Sequence, residues 1–175
     1  MRTIGLIGGM SWESTALYYR WINEGVRDAR GGNSSAPLLL HSLDFEAIKR
    51  MQFAGDWAGM IRCLGDAAAG LEASGAEAVL ICTNTMHKIA DEVSARISVP
   101  LIHLADATAL ALVAAGHRKV ALLGTRFTME EPFYREHLAR HGVEALVPPA
   151  EEVPELNRII YDELCCGAEI GRAHV

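Results

Sequence analysis

The sequence is poor in several features that mark whole classes of protein. It holds only four cysteines, Cys63, Cys82, Cys165 and Cys166. They are too few and too irregularly spaced for a disulfide framework or a cysteine-based zinc site, so no metal site is expected and a reducing cytoplasm is the expected compartment. It has no block of basic residues: 16 Lys and Arg are interspersed with 22 Asp and Glu, for a net charge of −6. That pattern argues against a nucleic-acid partner and mainly favours solubility. No apolar run is long enough to span a membrane, and the longest, around residues 101–115, carries His103 and Asp106. Residues 3–9 are apolar but short and glycine-rich, with no small-residue cleavage site after them, so they do not read as a signal peptide. The first loop, GLIGGMS, lacks the G-x-G-x-x-G order of dinucleotide-binding turns, and no P-loop lysine follows it.

What is present points to a packed α/β protein. Half the residues are hydrophobic and 22% are charged, which is enough apolar surface for a core. Short aliphatic runs alternate with longer helical patterns. Strands are expected at 3–8, 37–43, 77–82, 99–103, 118–124 and 144–147, and helices at 14–29, 45–52, 56–74, 86–97, 105–115, 130–141 and 152–165. Near-continuous apolar strands between helices predict a parallel sheet flanked by helices on both faces. The helix at 56–74 shows the pattern well. Trp57, Met60, Ile61, Leu64, Ala67, Ala68 and Leu71 fall on one face, Asp56 is placed to cap the start, and Gly75 ends it. Cys63 lies beside that stripe and reads as a structural residue. A weak repeat also appears: TIGLIGGMSWESTALYYR and KVALLGTRFTMEEPFYRE align at an offset of 116, matching Gly8 with Gly124 and Tyr18 with Tyr134.

Ligands of parallel α/β sheets bind beyond the carboxyl ends of the strands. Three loops are expected there: 8–15 (GGMSWEST), 43–52 (LDFEAIKRMQ) and 82–88 (CTNTMHK). In the first, Gly8 and Gly9 permit a tight turn or a close ligand approach. In the second, Arg50 and Gln52 sit at a rim where a carboxylate could be held, while Asp44 and Glu46 read as a turn and a helix start. In the third, Cys82 ends a strand and Thr83, Asn84 and Thr85 supply hydroxyl and amide groups. A thiol there would face the positive end of the following helix, which favours thiolate and base or nucleophile chemistry. The alternative is a small hydrophobe closing a core. His87 is a further candidate partner for the thiol, and His103, at another strand end, stays ambiguous.

The motifs IGLIGGMSWEST (4–15), CTNTMHK (82–88), ADATA (105–109) and ALLGTRFTM (121–129) resemble the cofactor-independent aspartate/glutamate racemases, and the similarity runs from residue 1 to about 167. The resemblance implies two similar Rossmann-like α/β lobes with the active site in the cleft between them. It implies racemisation of a small amino-acid substrate with no cofactor, pyridoxal phosphate included. Each lobe would contribute one cysteine, one removing the α-proton as thiolate and the other returning a proton to the opposite face. Cys82 matches the first. By motif, Met10, Gln52, Thr83, Asn84 and Thr85 would bind substrate, with Thr125 and Thr128 on the second lobe's side. A homodimer is the default assembly.

The resemblance has one departure. The offset of 116 carries Cys82 to about position 198, past the last residue, and the family's second motif, Gly-Cys-Thr-Glu, is absent from the sequence. Cys165 and Cys166 follow a helical pattern and do not substitute for it. The expected organisation is a first lobe at 1–104, an incomplete second lobe at 105–167 of marginal stability, and an artificial tail at 168–175. Related enzymes of the wider superfamily share a strand-end cysteine, namely hydantoin racemases, maleate isomerases and malonate decarboxylases. A non-catalytic carboxylate-binding module is the reading from outside enzymology.

Overall fold

The computed structural model describes residues 1–168, so the expected tail lies outside the described residues apart from Ala168. The chain forms two compact units, Met1–Ile102 and the part that begins at His103.

The first unit is an α/β layer structure. Strand β1 (Ile4–Gly8) leads to helix α1 (Trp12–Arg30), followed by β2 (Leu38–Ser42), α2 (Phe45–Phe53), α3 (Trp57–Ala73) and β3 (Ala78–Ile81). A five-residue 3-10 turn, Thr85–Ile89, runs into the short α4 (Ala90–Ser94), and β4 (Leu101–Ile102) closes the unit. All four strands are parallel, in the order β2-β1-β3-β4. The register pairs Ile7 with His41 on one side and with Ile81 on the other, so the carboxyl ends of β1, β2 and β3 lie together.

Strand side chains alternate between faces. Ile7, Val79 and Ile81 point into the main core with Ile48, Met60, Leu64, Ala67 and Val93, under α2, α3 and α4. Leu6, Leu80 and Cys82 point to the other face and pack against Ile4, Tyr18, Ile22 and Leu38, so α1 covers that side. The inner strands β1 and β3 are thus buried on both faces, which is why they read as unbroken apolar runs. The helix ends also follow the sequence chemistry. Asp56 Oδ1 accepts from Gly59 N at 2.8 Å, and Asp44 Oδ1 accepts from Glu46 N at 3.1 Å. After α3, Gly75 takes φ +96°, a conformation glycine adopts without a Cβ penalty.

The second unit is built from α5 (Leu104–Ala114), β5 (Lys119–Ala121), α6 (Arg126–Glu130), α7 (Pro132–Arg140), β6 (Glu144–Leu146) and α8 (Val153–Arg158), which continues as a π-helical turn over Ile159–Glu163. Its described sheet is the parallel pair β5-β6. Ala105 and Ala109 of α5 meet Tyr134 and Leu138 of α7 and Val143 to form the core. Thr108 Oγ1 lies 3.5 Å from Tyr134 OH across the same contact.

Three expectations need correction. The helix expected at 86–97 is a 3-10 turn plus one α-turn; the β-branched and short polar residues of TNTMHKIADEVS favour the tighter start over a long regular helix. The segment 130–141 is broken at Glu131, which takes an extended conformation before Pro132, as residues preceding proline do. The strands expected at 99–103 and 118–124 shrink to two and three residues.

Candidate active site

The first two strand-end loops are held together by backbone geometry. Gly9 has φ +86°, and a Cβ on it would lie 2.1 Å from the Leu43 carbonyl oxygen. A Cβ on Gly8 would lie 2.4 Å from Thr15 Cγ2. Both positions therefore require glycine to let the β1 turn pass the β2–α2 loop and α1, independently of any ligand. Leu43 N donates to Gly8 O at 2.9 Å, and Gly9 N donates to Thr15 Oγ1 at 2.9 Å. The Met10–Ser11 peptide is cis. Ser11 then caps α1, with its carbonyl accepting the Thr15 hydroxyl at 2.8 Å and the Ser14 hydroxyl at 3.0 Å.

Ser14 links this turn to the cysteine loop, because its Oγ also lies within donating distance of the Cys82 carbonyl, at 3.3 Å. Cys82 N donates to Ile7 O at 2.9 Å, which extends the β1–β3 pairing by one residue. The Cys82 side chain is fully buried in the α1-facing cluster with Leu6 and Leu80. Burial pushes its thiol up to about 12. The helical element after Cys82 is a five-residue 3-10 turn, and loss of hydration is the cause of the upward shift. In this closed strand end the sulfur is a neutral S–H.

The rest of the motif is anchored around it. His87 is buried, and its Nδ1–H donates to the Thr83 carbonyl at 2.8 Å, closing the loop on itself. Lys88 Nζ sits 3.7 Å above the Trp57 ring, a cation–π contact that ties the turn to the start of α3. Thr85 is buried, Thr83 half-buried and Asn84 exposed, so the loop presents its amide outward. Met10 packs in the main core near Ile7, Ile81 and Met86, and Gln52 is buried on α2. Met10, Gln52 and Cys82–Thr85 thus all belong to the carboxyl-end region of the first unit. Thr125 and Thr128 belong to the second, where their hydroxyls lie 3.3 Å apart at the start of α6. A Cβ on Gly124 would sit 3.0 Å from Thr128 Cβ, so the turn before α6 packs closely on Thr128.

Sequence reading did not single out Ser14 or the His87–Thr83 bond. The signal for Ser14 was the Ser11-x-x-Ser14 spacing at a helix start, which a capping analysis of 8–15 would have raised.

The sequence model of the Asp/Glu/hydantoin racemase family matches residues 7–171. The chain belongs to that family. Among solved structures, a Yersinia pestis protein provisionally assigned as an Asp/Glu racemase is 48% identical and superposes with a TM-score of 0.88 over 98% of this chain and 75% of its own. An aspartate racemase homologue from Pyrococcus horikoshii is 38% identical, with a TM-score of 0.79 over 96% of this chain and 74% of its own. The broad specificity amino-acid racemase RacX of Bacillus subtilis is 24% identical over 148 residues, which make up 82% of this chain and 63% of RacX. The family assignment agrees with the α/β fold and with the motifs at 4–15 and 82–88. No helix of the described residues is long and apolar enough to cross a membrane.

Proposed function

We propose that this member of the racemase family moves the α-proton of an acidic or related amino acid, with Cys82 as the acid/base group. The observation that carries the reading is the cysteine's position. It directly follows β3 at the carboxyl end of a parallel sheet, it is tied through Ser14 to the β1 turn, and it lies in a chain 48% identical to the Yersinia protein. Asn84, Thr83 and Thr85 would hold the substrate carboxylate, with Met10 and Gln52 shaping the pocket.

The proton balance is simple. The Cα–H proton passes to the Cys82 thiolate and forms S–H, and a proton then returns from sulfur to the carbanion. Inversion needs a second acid on the opposite face. A single thiol can still exchange the proton with solvent. At this buried strand end a thiol at about 12 costs on the order of 7 kcal/mol to ionise at pH 7. The positive α-ammonium of a bound amino acid would lower that cost, since an adjacent opposite charge favours the ionised form.

The test is incubation with L- or D-aspartate and glutamate in D₂O, with deuterium at Cα followed by NMR. Incorporation that disappears in Cys82→Ser supports the proposal, and incorporation that survives the substitution refutes it. The raised thiol favours one second reading, a carboxylate-binding module with a structural Cys82. Binding of aspartate or glutamate with no exchange at Cα would select it.

A further inference from the structure

The second unit gathers four ionisable side chains that the proposed proton transfer at Cys82 does not use. His103 is the residue before α5 and Asp106 lies in that helix's first turn. His137 is in the last turn of α7, and His141 caps its end four residues later. Each pair is spaced at one helical turn, so both members of a pair lie on one face of their helix. The small residues Ala105 and Ala109 at the α5–α7 contact bring these faces together.

The geometry is tight. Asp106 Oδ1 accepts from His137 Nδ1 and from His141 Nε2, each at 3.0 Å. The His103 ring stacks on His137, with centroids 3.7 Å apart and planes 6° from parallel. Arg140 Nη1 donates to His137 Nε2 at 3.3 Å, which leaves Nδ1 as the protonated nitrogen facing Asp106. One ligand atom from each of His103, Asp106 and His137 lies within 4.8 Å of the others. The side chains of Asp106 and His137 are 37% and 15% exposed and the His103 ring nitrogens are buried, so an ion enters from solvent on the Asp106 side.

From this juxtaposition we propose that His103, Asp106 and His137 form a binding site for a divalent transition-metal cation of the Zn²⁺ class, with His141 holding the Asp106 carboxylate in place. Two imidazoles and a carboxylate suit zinc, nickel or copper and are poorly suited to calcium or magnesium. Zinc–nitrogen bonds of about 2.0–2.1 Å put tetrahedral ligand atoms roughly 3.3 Å apart, and imidazole lone pairs lie in the ring plane, so binding draws the three atoms inward and turns the His103 ring out of its stack on His137. The metal replaces the Nδ1 proton of His137, which leaves to solvent, and Asp106 changes from a hydrogen-bond acceptor to a ligand. Sequence spacing hid the site because its halves lie on separate helices and involve no cysteine.

Zn²⁺ titration of the whole chain against a competing chelator, and Co²⁺ titration followed by visible absorption, test the proposal. The expected result is one tight equivalent, with the d–d bands of a nitrogen–oxygen site and no thiolate charge-transfer band. Asp106→Asn and His137→Gln should each remove the tight phase. His141→Gln should weaken it about 10–100-fold, as loss of an orienting partner does. The Cys165→Ser/Cys166→Ser variant should bind like the parent. If a histidine or aspartate variant loses its fold by circular dichroism, unmodified protein decides: substoichiometric Co²⁺ must broaden the ring signals of His103 and His137 before those of the other histidines. Absence of a tight equivalent, a thiolate band, or first broadening elsewhere overturns the site and leaves the cluster as an ion-paired clamp between α5 and α7.

Discussion

The first unit encloses a sulfhydryl among aliphatic side chains at the end of β3, whereas the second keeps its ionisable groups partly exposed at a contact between two helices. The sheets explain the difference. Four parallel strands with helices on both faces close over Cys82, and the loss of water sets its proton affinity, so the neutral form prevails. The second unit's described sheet has two three-residue strands, and its helices meet over alanines. Burial there works against ionisation of Asp106, but hydrogen bonds from His137 and His141, and the charges of His137 and His103, outweigh it and hold the carboxyl below its usual range. The extent of sheet closure therefore decides whether a titratable group becomes neutral or becomes one of a charged cluster.

The largest effect expected from this contrast is in core substitution. Leu64→Ala in the first unit should cost about 4–5 kcal/mol, near the top of the range for a buried leucine, because Leu64 is enclosed by the sheet and by neighbouring helices. Leu138→Ala in the second should cost about 2–3 kcal/mol, since the partly exposed Val113 and Phe133 beside it can move into the space. Urea unfolding followed by tryptophan fluorescence reads the first, because Trp12, Trp21 and Trp57 all lie in the first unit; far-UV circular dichroism reads the second. Equal losses would erase the distinction.

A smaller effect, with a definite sign, comes from Cys82. Burial pushes its thiol from the ordinary value of 9.0 up to about 12, so the unfolded chain sheds its proton first. The stabilisation is complete below pH 9 and is lost as pH rises toward 12. At about pH 10.5 the parent should have lost on the order of 2 kcal/mol more than Cys82→Ala, each relative to its own value at pH 8. Parallel pH profiles for the two proteins would show an ordinary thiol.

The smallest effects are at the surface. Asp56→Ala, which removes the cap of α3, should cost about 1 kcal/mol by urea unfolding. Lys119→Met, which breaks the exposed ion pair with Glu144 across β5-β6, should cost under about 1 kcal/mol and nothing measurable in high salt. A larger, salt-resistant cost at Lys119 would mean the second sheet is better enclosed than its exposure shows.

Much of this architecture is legible in the sequence. The parallel strands, the Asp56 cap and the Gly75 stop come from apolar periodicity and from capping chemistry, both of which act locally. Cys82 is legible as a strand-end residue for the same reason. Its protonation state is not, because that depends on Leu6, Leu80 and α1 closing over it from distant parts of the sequence. The same limit applies to Ser14 and the Cys82 carbonyl, 68 residues apart, and to Asp106 and its two histidines, 31 and 35 residues away. Hydrogen bonds at such separations leave no periodic trace. The helix expected over 86–97 fails for a different reason: its apolar spacing reads as one element, although the backbone changes from a 3-10 turn to an α-turn within it.

The most direct test is a site-resolved titration of the thiols, using protein labelled with ¹³C at cysteine Cβ and the Cys82 signal assigned through Cys82→Ser. The closed strand end predicts that Cys82 stays a thiol up to about pH 11 in the free protein and begins to ionise only beyond that, consistent with a value of about 12. A Cys82 signal that moves to its thiolate position at or below pH 9 would contradict the desolvated strand end that sets its proton affinity.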